Sequence, residues 1–250
     1  MGRGIVYIAF GEEYDRLASH TVILSKKNTR LPITVITNLK ERNSKWDECR
    51  DINFVYLDAP TDSNRDIKTQ LYKYTPYDET LYIDCDSVIW KPGIEGVFPL
   101  LAKHDVLLQR FYSWTEGRKY YRLYRDSLKS LEIQLPVTIY IGGFWAFRKN
   151  ESSIKFFDLW NQYWKRFGSG RDMPALACAV KNSEIKHFDA SPNDYKFFSF
   201  GINKDMIVVH RVNSDDLLKH FGIPRYKQNK PFDQGTKGAW KMIHYDEVCA

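Results

Sequence analysis

Short apolar, β-forming runs recur through the first part of the chain, separated by helix-sized intervals. Ile5-Val-Tyr-Ile-Ala-Phe10 ends at Gly11, after which Leu17, Ala18, Thr21, Val22 and Ser25 fall at helical spacing: a strand, a turn and a helix. Pro32 introduces a second strand, Ile33–Thr37, and Asn53–Leu57 reads as a third. A polar entry, Asp62–Asp66, opens a helix carrying Ile67, Leu71 and Tyr74 with Lys68 in its first turn, and Leu81–Ile83 reads as a buried strand. Strands at such intervals predict an α/β fold with a mostly parallel central sheet, flanking helices and right-handed crossovers. Ligands of such sheets bind at the carboxyl ends of the strands, where Phe10, Thr37 and Leu57 converge.

The second half is more varied. Phe98–Ala102 predicts a short helix, Asp105–Gln109 a strand, and Phe111–Gly117 a turn-rich passage. Tyr120, Tyr124, Leu128 and Leu131 form one helical stripe with Arg118, Arg122, Arg125 and Lys129 among them, which reads as an amphipathic helix with solvated charges. Thr138–Phe147 alternates like two strand halves around Gly142-Gly143, a pattern that signals a bulge or a close approach to the backbone. Asn150 predicts the N-cap of a helix reaching Phe167, its buried face made of Ile154, Phe157, Trp160, Trp164 and Phe167, with Gly168 ending it. Gly170–Cys178 is a loop feeding another helix, and Ile185–Phe188 and Met206–His210 are further strands. With no repeat and no linker, residues 1–250 read as one domain, comprising two halves (1–110 and 111–222) and a basic tail (223–250).

Composition adjusts this picture slightly. Aromatic residues are 15% of the chain, enough to line flat binding surfaces as well as the core. The net charge of +6 favours an anionic partner without choosing one. Cys49, Cys85, Cys178 and Cys249 are scattered without paired spacing, as expected of reduced thiols in the cytoplasm, and no run is long enough for a membrane span.

The candidate chemistry lies in Thr80-Leu-Tyr-Ile-Asp-Cys-Asp-Ser-Val-Ile-Trp90. Two carboxylates, Asp84 and Asp86, interrupt an otherwise apolar run. Desolvating them is costly unless a positive group meets them, and a divalent cation does so economically, with Mn²⁺ or Mg²⁺ suiting oxygen ligands. Residues i and i+2 of a strand share a side, so both acids reach one ion where the strand ends. Lys68, near a predicted helix start, is a candidate for phosphate.

The run Ile67–Trp90, with its lysine-bearing helix, Pro76-Tyr-Asp78 turn and Asp-x-Asp strand end, resembles the core of GT-A glycosyltransferases, especially family 8 and its relatives. Ala9-Phe-Gly-Glu-Glu-Tyr14 resembles the first loop of the same group. The resemblance implies a Rossmann-like nucleotide-diphospho-sugar transferase, with residues 1–110 as its nucleotide-binding half and 111–222 as its acceptor and sugar half. Ala9, Phe10 and Tyr14 would line the base pocket, Lys68 would lie near the nucleotide, Asp84 would reach ribose or metal, and Asp86 would chelate directly. Arg171-Asp-Met-Pro-Ala-Leu176 resembles the family's acid before a Pro-Ala-Leu helix start, which nominates Asp172 for the sugar side of the site. Met173 stands where relatives often have glutamine, and the asparagine that usually precedes the glycine-containing strand is absent here. A C-terminal histidine commonly completes the metal site in that family; His210 is the candidate and His244 its rival. The implied substrates are a nucleoside-diphosphate sugar, with UDP the leading nucleotide, and a glycan, lipid-linked or protein acceptor. If the reaction inverts, a carboxylate must act as base, with Asp172 first and Asp189 and Asp194 behind it.

Two other readings compete. Asp84-Cys-Asp-Ser-Val88 also resembles the first motif of haloacid-dehalogenase-like phosphatases, although that motif belongs on a first strand and three strands precede it here. A basic nucleic-acid-binding module built on the Arg118–Lys129 helix and the tail leaves the paired acids unexplained.

Overall fold

A computed structural model describes residues 2–191, 194–200, 205–210 and 219–223 of the chain. Its largest element is a seven-stranded sheet in the order β3-β2-β1-β4-β7-β6-β8, built from β1 (Arg3–Ala9), β2 (Ile33–Thr37), β3 (Ile52–Tyr56), β4 (Glu79–Ile83), β6 (Val106–Trp114), β7 (Val137–Arg148) and β8 (His187–Ala190). β3, β2, β1 and β4 pair in parallel, as do β6 and β8, whereas β7 runs antiparallel to both of its neighbours. Residues 4–9 of β1 and all of β2 and β4 are buried on both faces, which is why their sequences are continuous apolar runs without polar alternation. A second, three-stranded sheet joins β5 (Ser87–Ile89), β10 (Val208–His210) and β9 (Phe198–Phe200), with β10 in the middle.

Helices cover the large sheet. α1 (Glu12–Lys26) follows β1 through Gly11, whose φ of 81° and the Thr61 methyl lying where a Cβ would project make glycine the residue that fits. Short α2 (Asn64–Lys68) and α3 (Val97–Leu100) flank β4, and α4 (Lys119–Ser130) links β6 to β7. α5 (Glu151–Arg166) and α6 (Asp172–Asn182) complete the set. α5 starts as expected at Asn150, whose side chain accepts from Ser153 N while the Ser153 hydroxyl accepts from Asn150 N, and Gly168 ends it with φ 78°. One core cluster combines Ile5, Tyr7, Val35, Leu81 and Ile83 with residues of α1 and the small sheet. The other gathers Val6, Ile8, Ile36 and Tyr82 with the rings of α5, where Trp145 stacks on Tyr82 at 4.8 Å and meets Trp160 edge-on at 5.5 Å. No described helix is long and apolar enough to cross a membrane.

Four local expectations change. The helix expected through Ile67, Leu71 and Tyr74 is broken after Lys68, because Asn161 of α5 donates to Asp66 Oδ1 and Thr69 Oγ1, and Thr69 in turn bonds Asp66 O. The turn-rich passage after Gln109 is instead a continuation of β6 to Trp114, paired with Val137–Tyr140. The two strand halves around Gly142-Gly143 are one continuous β7, and the glycines mark a bulge: between the pairs Leu108↔Trp145 and Arg110↔Tyr140, β6 advances two residues and β7 five. β8 begins two residues later than predicted, at His187, because the Asp105 carboxylate takes up Lys186 N ahead of the ladder.

Candidate active site

The end of β4 supplies the first pieces. Asp84 N still bonds Gly143 O at 3.0 Å, but Ser87 N then folds back to Asp84 O, so Asp84 and Asp86 lie in a tight turn passing the chain from one sheet to the other. They are not strand residues, and it is the turn that brings their carboxylates together.

Asp84 Oδ1 accepts from the Tyr82 hydroxyl at 2.6 Å and lies 2.9 Å from Lys68 Nζ, which reaches Asp172 Oδ2 at 3.0 Å. Lys68 is buried, and it stands at the end of α2 and not in the first turn of a longer helix. Burial by itself pushes its ammonium toward neutrality; the carboxylates of Asp172 and Asp84 outweigh that and hold its pKa above the usual lysine range. Burial, reinforced by Asp84, likewise holds the Tyr82 phenol protonated as a donor. Asp172 opens α6, where the helix dipole favours a carboxylate, and its carbonyl accepts from Trp160 Nε1 at 3.1 Å.

The β7 bulge forms the wall behind these groups. A Cβ on Gly142 would lie 2.8 Å from Asp172 Oδ2, and one on Gly143 would overlap Asp84 Oδ2 and stand 3.3 Å from His210 Cε1. Two glycines in succession are what let two carboxylates and an imidazole approach one strand.

His210 closes β10. Its Nδ1 lies 2.8 Å from Ser87 Oγ and 3.2 Å from Asp86 Oδ1, and its ring rests against Phe198 at 5.1 Å. Ligating atoms of Asp84, Asp86 and His210 lie within 4.8 Å of one another. Two carboxylates and one imidazole against a glycine wall form a donor set that fits a hard divalent cation.

At the end of β1, the loop is held by Asn38, which accepts from Gly11 N at 2.8 Å and donates to Ala59 O at 3.0 Å. Asp15 of α1 is structural, accepting from Asn43 N and Trp46 Nε1. Ala9 and Phe10 are fully enclosed, Phe10 in the same cluster as Ile36 and Ile67, so the expected Phe10 side-chain contact with a base gives way to a core role. Tyr14 remains half-buried. Burial and then Cys85 raise its phenol pKa, Arg65 opposes and Asp86 adds, which places the ring in the field of the acidic turn. Asp189 pairs with Arg110, Nε to Oδ2 at 2.9 Å, and Asp194 is exposed, so neither takes part in the Lys68 contacts. His244 and the tail beyond Ile223 lie outside the described residues.

No family profile matches the sequence, and no curated protein matches it. Solved structures do. The galactosyltransferase LgtC, in complex with donor and acceptor sugar analogues, superposes with a TM-score of 0.56 at 12% identity, over 83% of this chain and 86% of that one. Mouse xyloside xylosyltransferase 1 gives 0.57 at 9% identity, over 84% and 97%. The glycosyltransferase GlyE of Streptococcus pneumoniae gives 0.55 at 11%, over 93% of this chain and 57% of that one. The fold is GT-A. At such identities the likeness concerns the backbone, and the side-chain argument rests on this chain's own geometry.

Within the GT-A frame, several contributors escape a reading of the sequence. Tyr82 and Ser87, which hold Asp84 and His210, look like ordinary strand residues. Arg65 looks like one more surface cation. The glycine pair was the one available signal, since adjacent glycines inside a strand pattern predict close approach without naming what approaches.

Proposed function

We propose that this chain is a metal-dependent glycosyltransferase that moves a sugar from a nucleoside-diphosphate sugar, with UDP the leading nucleotide, to a hydroxyl of a glycan, lipid-linked or protein acceptor. Residues 1–250 act in this reading as one catalytic unit. The observation that carries it is the pair of linked clusters: Lys68 held between Asp84 and Asp172, and Asp84 again within reach of Asp86 and His210.

Asp84, Asp86 and His210 would hold Mn²⁺ or Mg²⁺, which when bound neutralises charge developing on a diphosphate leaving group. Lys68 keeps the Asp84 and Asp172 carboxylates apart and oriented while offsetting their charge. Ser87 and Phe198 fix the His210 ring. Asp172 faces the bulge with Oδ2 already engaged by Lys68, so we assign it to holding the donor sugar rather than to taking the acceptor's proton. We assign Tyr14 to the nucleotide side of the site, with Arg65, whose charge acts on the same ring, beside it. The free thiols of Cys49, Cys85 and Cys178 suit a cytoplasmic protein. The phosphatase reading loses support because the motif follows the fourth strand of the sheet, at an acid turn already shared with a lysine and a histidine.

The test is thermal stabilisation by UDP, GDP and dTDP, each with and without Mn²⁺. Stabilisation by a nucleoside diphosphate that needs the metal is expected, followed by slow hydrolysis of a matching sugar nucleotide. Stabilisation by oligonucleotide alone would sink the proposal.

A further inference from the structure

We propose that α4 docks this protein on an anionic lipid surface. Arg118, Arg122, Arg125 and Lys129 are spaced four, three and four residues apart, which stacks them along one ridge of the helix. Arg122, Arg125 and Lys129 are exposed, and the half-buried Arg118 guanidinium lies 5.6 Å over the Tyr112 ring at the head of the ridge. Such a row works against the helix that bears it. Like charges three and four residues apart repel, and the first turn holds no acid while Arg118 and Lys119 stand at the positive end of the dipole. The acid within the helix, Asp126, pairs with Arg125 in an exposed contact of 3.1 Å, which contributes little. Tyr124 and Leu128, buried in the core, hold the helix in place despite the repulsion, and an external anionic surface would relieve it.

The neighbourhood extends the field. Arg166, at the end of α5, donates to Ser130 Oγ and so adds a cation beside the last turn of α4, with exposed Lys165 preceding it. Leu123, 52% exposed on the outward side, decides between lipid and nucleic acid. An exposed leucine on the flank of the helix, one turn from Lys119, gains free energy at an acyl boundary and finds no apolar partner on a phosphodiester backbone. α4 also rests on the turn that leads to Asp172, with the Tyr124 and Phe167 rings 5.0 Å apart, so a membrane at α4 would lie beside the sugar side of the site. The inference stands on the helix and does not require sugar transfer.

The experiment is co-sedimentation of the full chain with phosphatidylcholine vesicles, with and without phosphatidylglycerol, at low and high salt. Wild type is expected to bind only the anionic vesicles and to leave them as salt rises. The triple substitution R122Q, R125Q, K129Q should weaken binding by roughly fivefold per cation, about 100-fold together, with a melting temperature that does not fall, since the repulsion along the ridge is relieved. Leu123→Ser should weaken binding to the anionic vesicles at low salt, where the wild type is bound. Equal binding to neutral vesicles, undiminished binding by the triple variant, or α4-dependent binding to single-stranded oligonucleotide without binding to vesicles would each overturn the proposal.

Discussion

A single side chain, Lys68, decides whether the candidate site holds together. It is 9% exposed between Asp84 at 27% and Asp172 at 11%, so removing it leaves two poorly solvated carboxylates facing each other. Lys68→Met is expected to cost about 3–5 kcal/mol, toward the lower end because Asp84 retains water, and urea unfolding checks it. Asp86→Ala should behave oppositely. It is expected to leave folding intact while abolishing stabilisation by Mn²⁺ with nucleotide and metal-dependent transfer; wild-type turnover at saturating Mn²⁺ would remove the metal assignment. Ser87→Ala tests the support of the ring, with an expected fall of about 10- to 100-fold in Mn²⁺ affinity, read by titration calorimetry.

Among the elements, β7 matters most to the site. Its bulge supplies a side-chain-free wall, and Gly143→Ala is expected to displace Asp84 and His210 and so eliminate metal-dependent thermal stabilisation, with the far-ultraviolet circular dichroism retained. The sequence showed that the wall existed, through two glycines in an apolar run, but not what it faced, because Asp84 and His210 arrive from elements far away in the chain. α5 is the reverse case. Its cap, its aromatic face and its stop are local, so Asn150, Trp160 and Gly168 announced it in advance. α2 lay between these extremes: the pattern of Ile67, Leu71 and Tyr74 supports a longer helix, and Asn161, from a distant element, ends it after one turn.

For the molecule as a whole, groups whose pKa the fold raises set an alkaline limit. The Cys178 thiol is pushed from 9.0 to about 12, by burial above all, so the fold holds it neutral while the unfolded chain would ionise it. Lys68, held above its usual 10.5, is charged in the fold over a range where the unfolded chain releases its proton. In both cases the folded state binds more protons, so stability is full below the unfolded value and falls as pH rises toward the folded one. Unfolding free energy is therefore expected to decline from about pH 9 upward, by as much as about 1.4 kcal/mol per pH unit for each such group. Cys178→Ala should make the first part of that decline shallower; an identical profile would remove Cys178 as a cause.

The sequence by itself determined the α/β class, most of the parallel strands, the capped α5 and the acidic pair Asp84 and Asp86, because these follow from periodicity, capping chemistry and the cost of charge in an apolar run. Tertiary structure decided the rest. The antiparallel β7, the small sheet that carries His210 to Asp86, and the place of Lys68 between Asp84 and Asp172 all depend on contacts between distant residues, which no local pattern encodes.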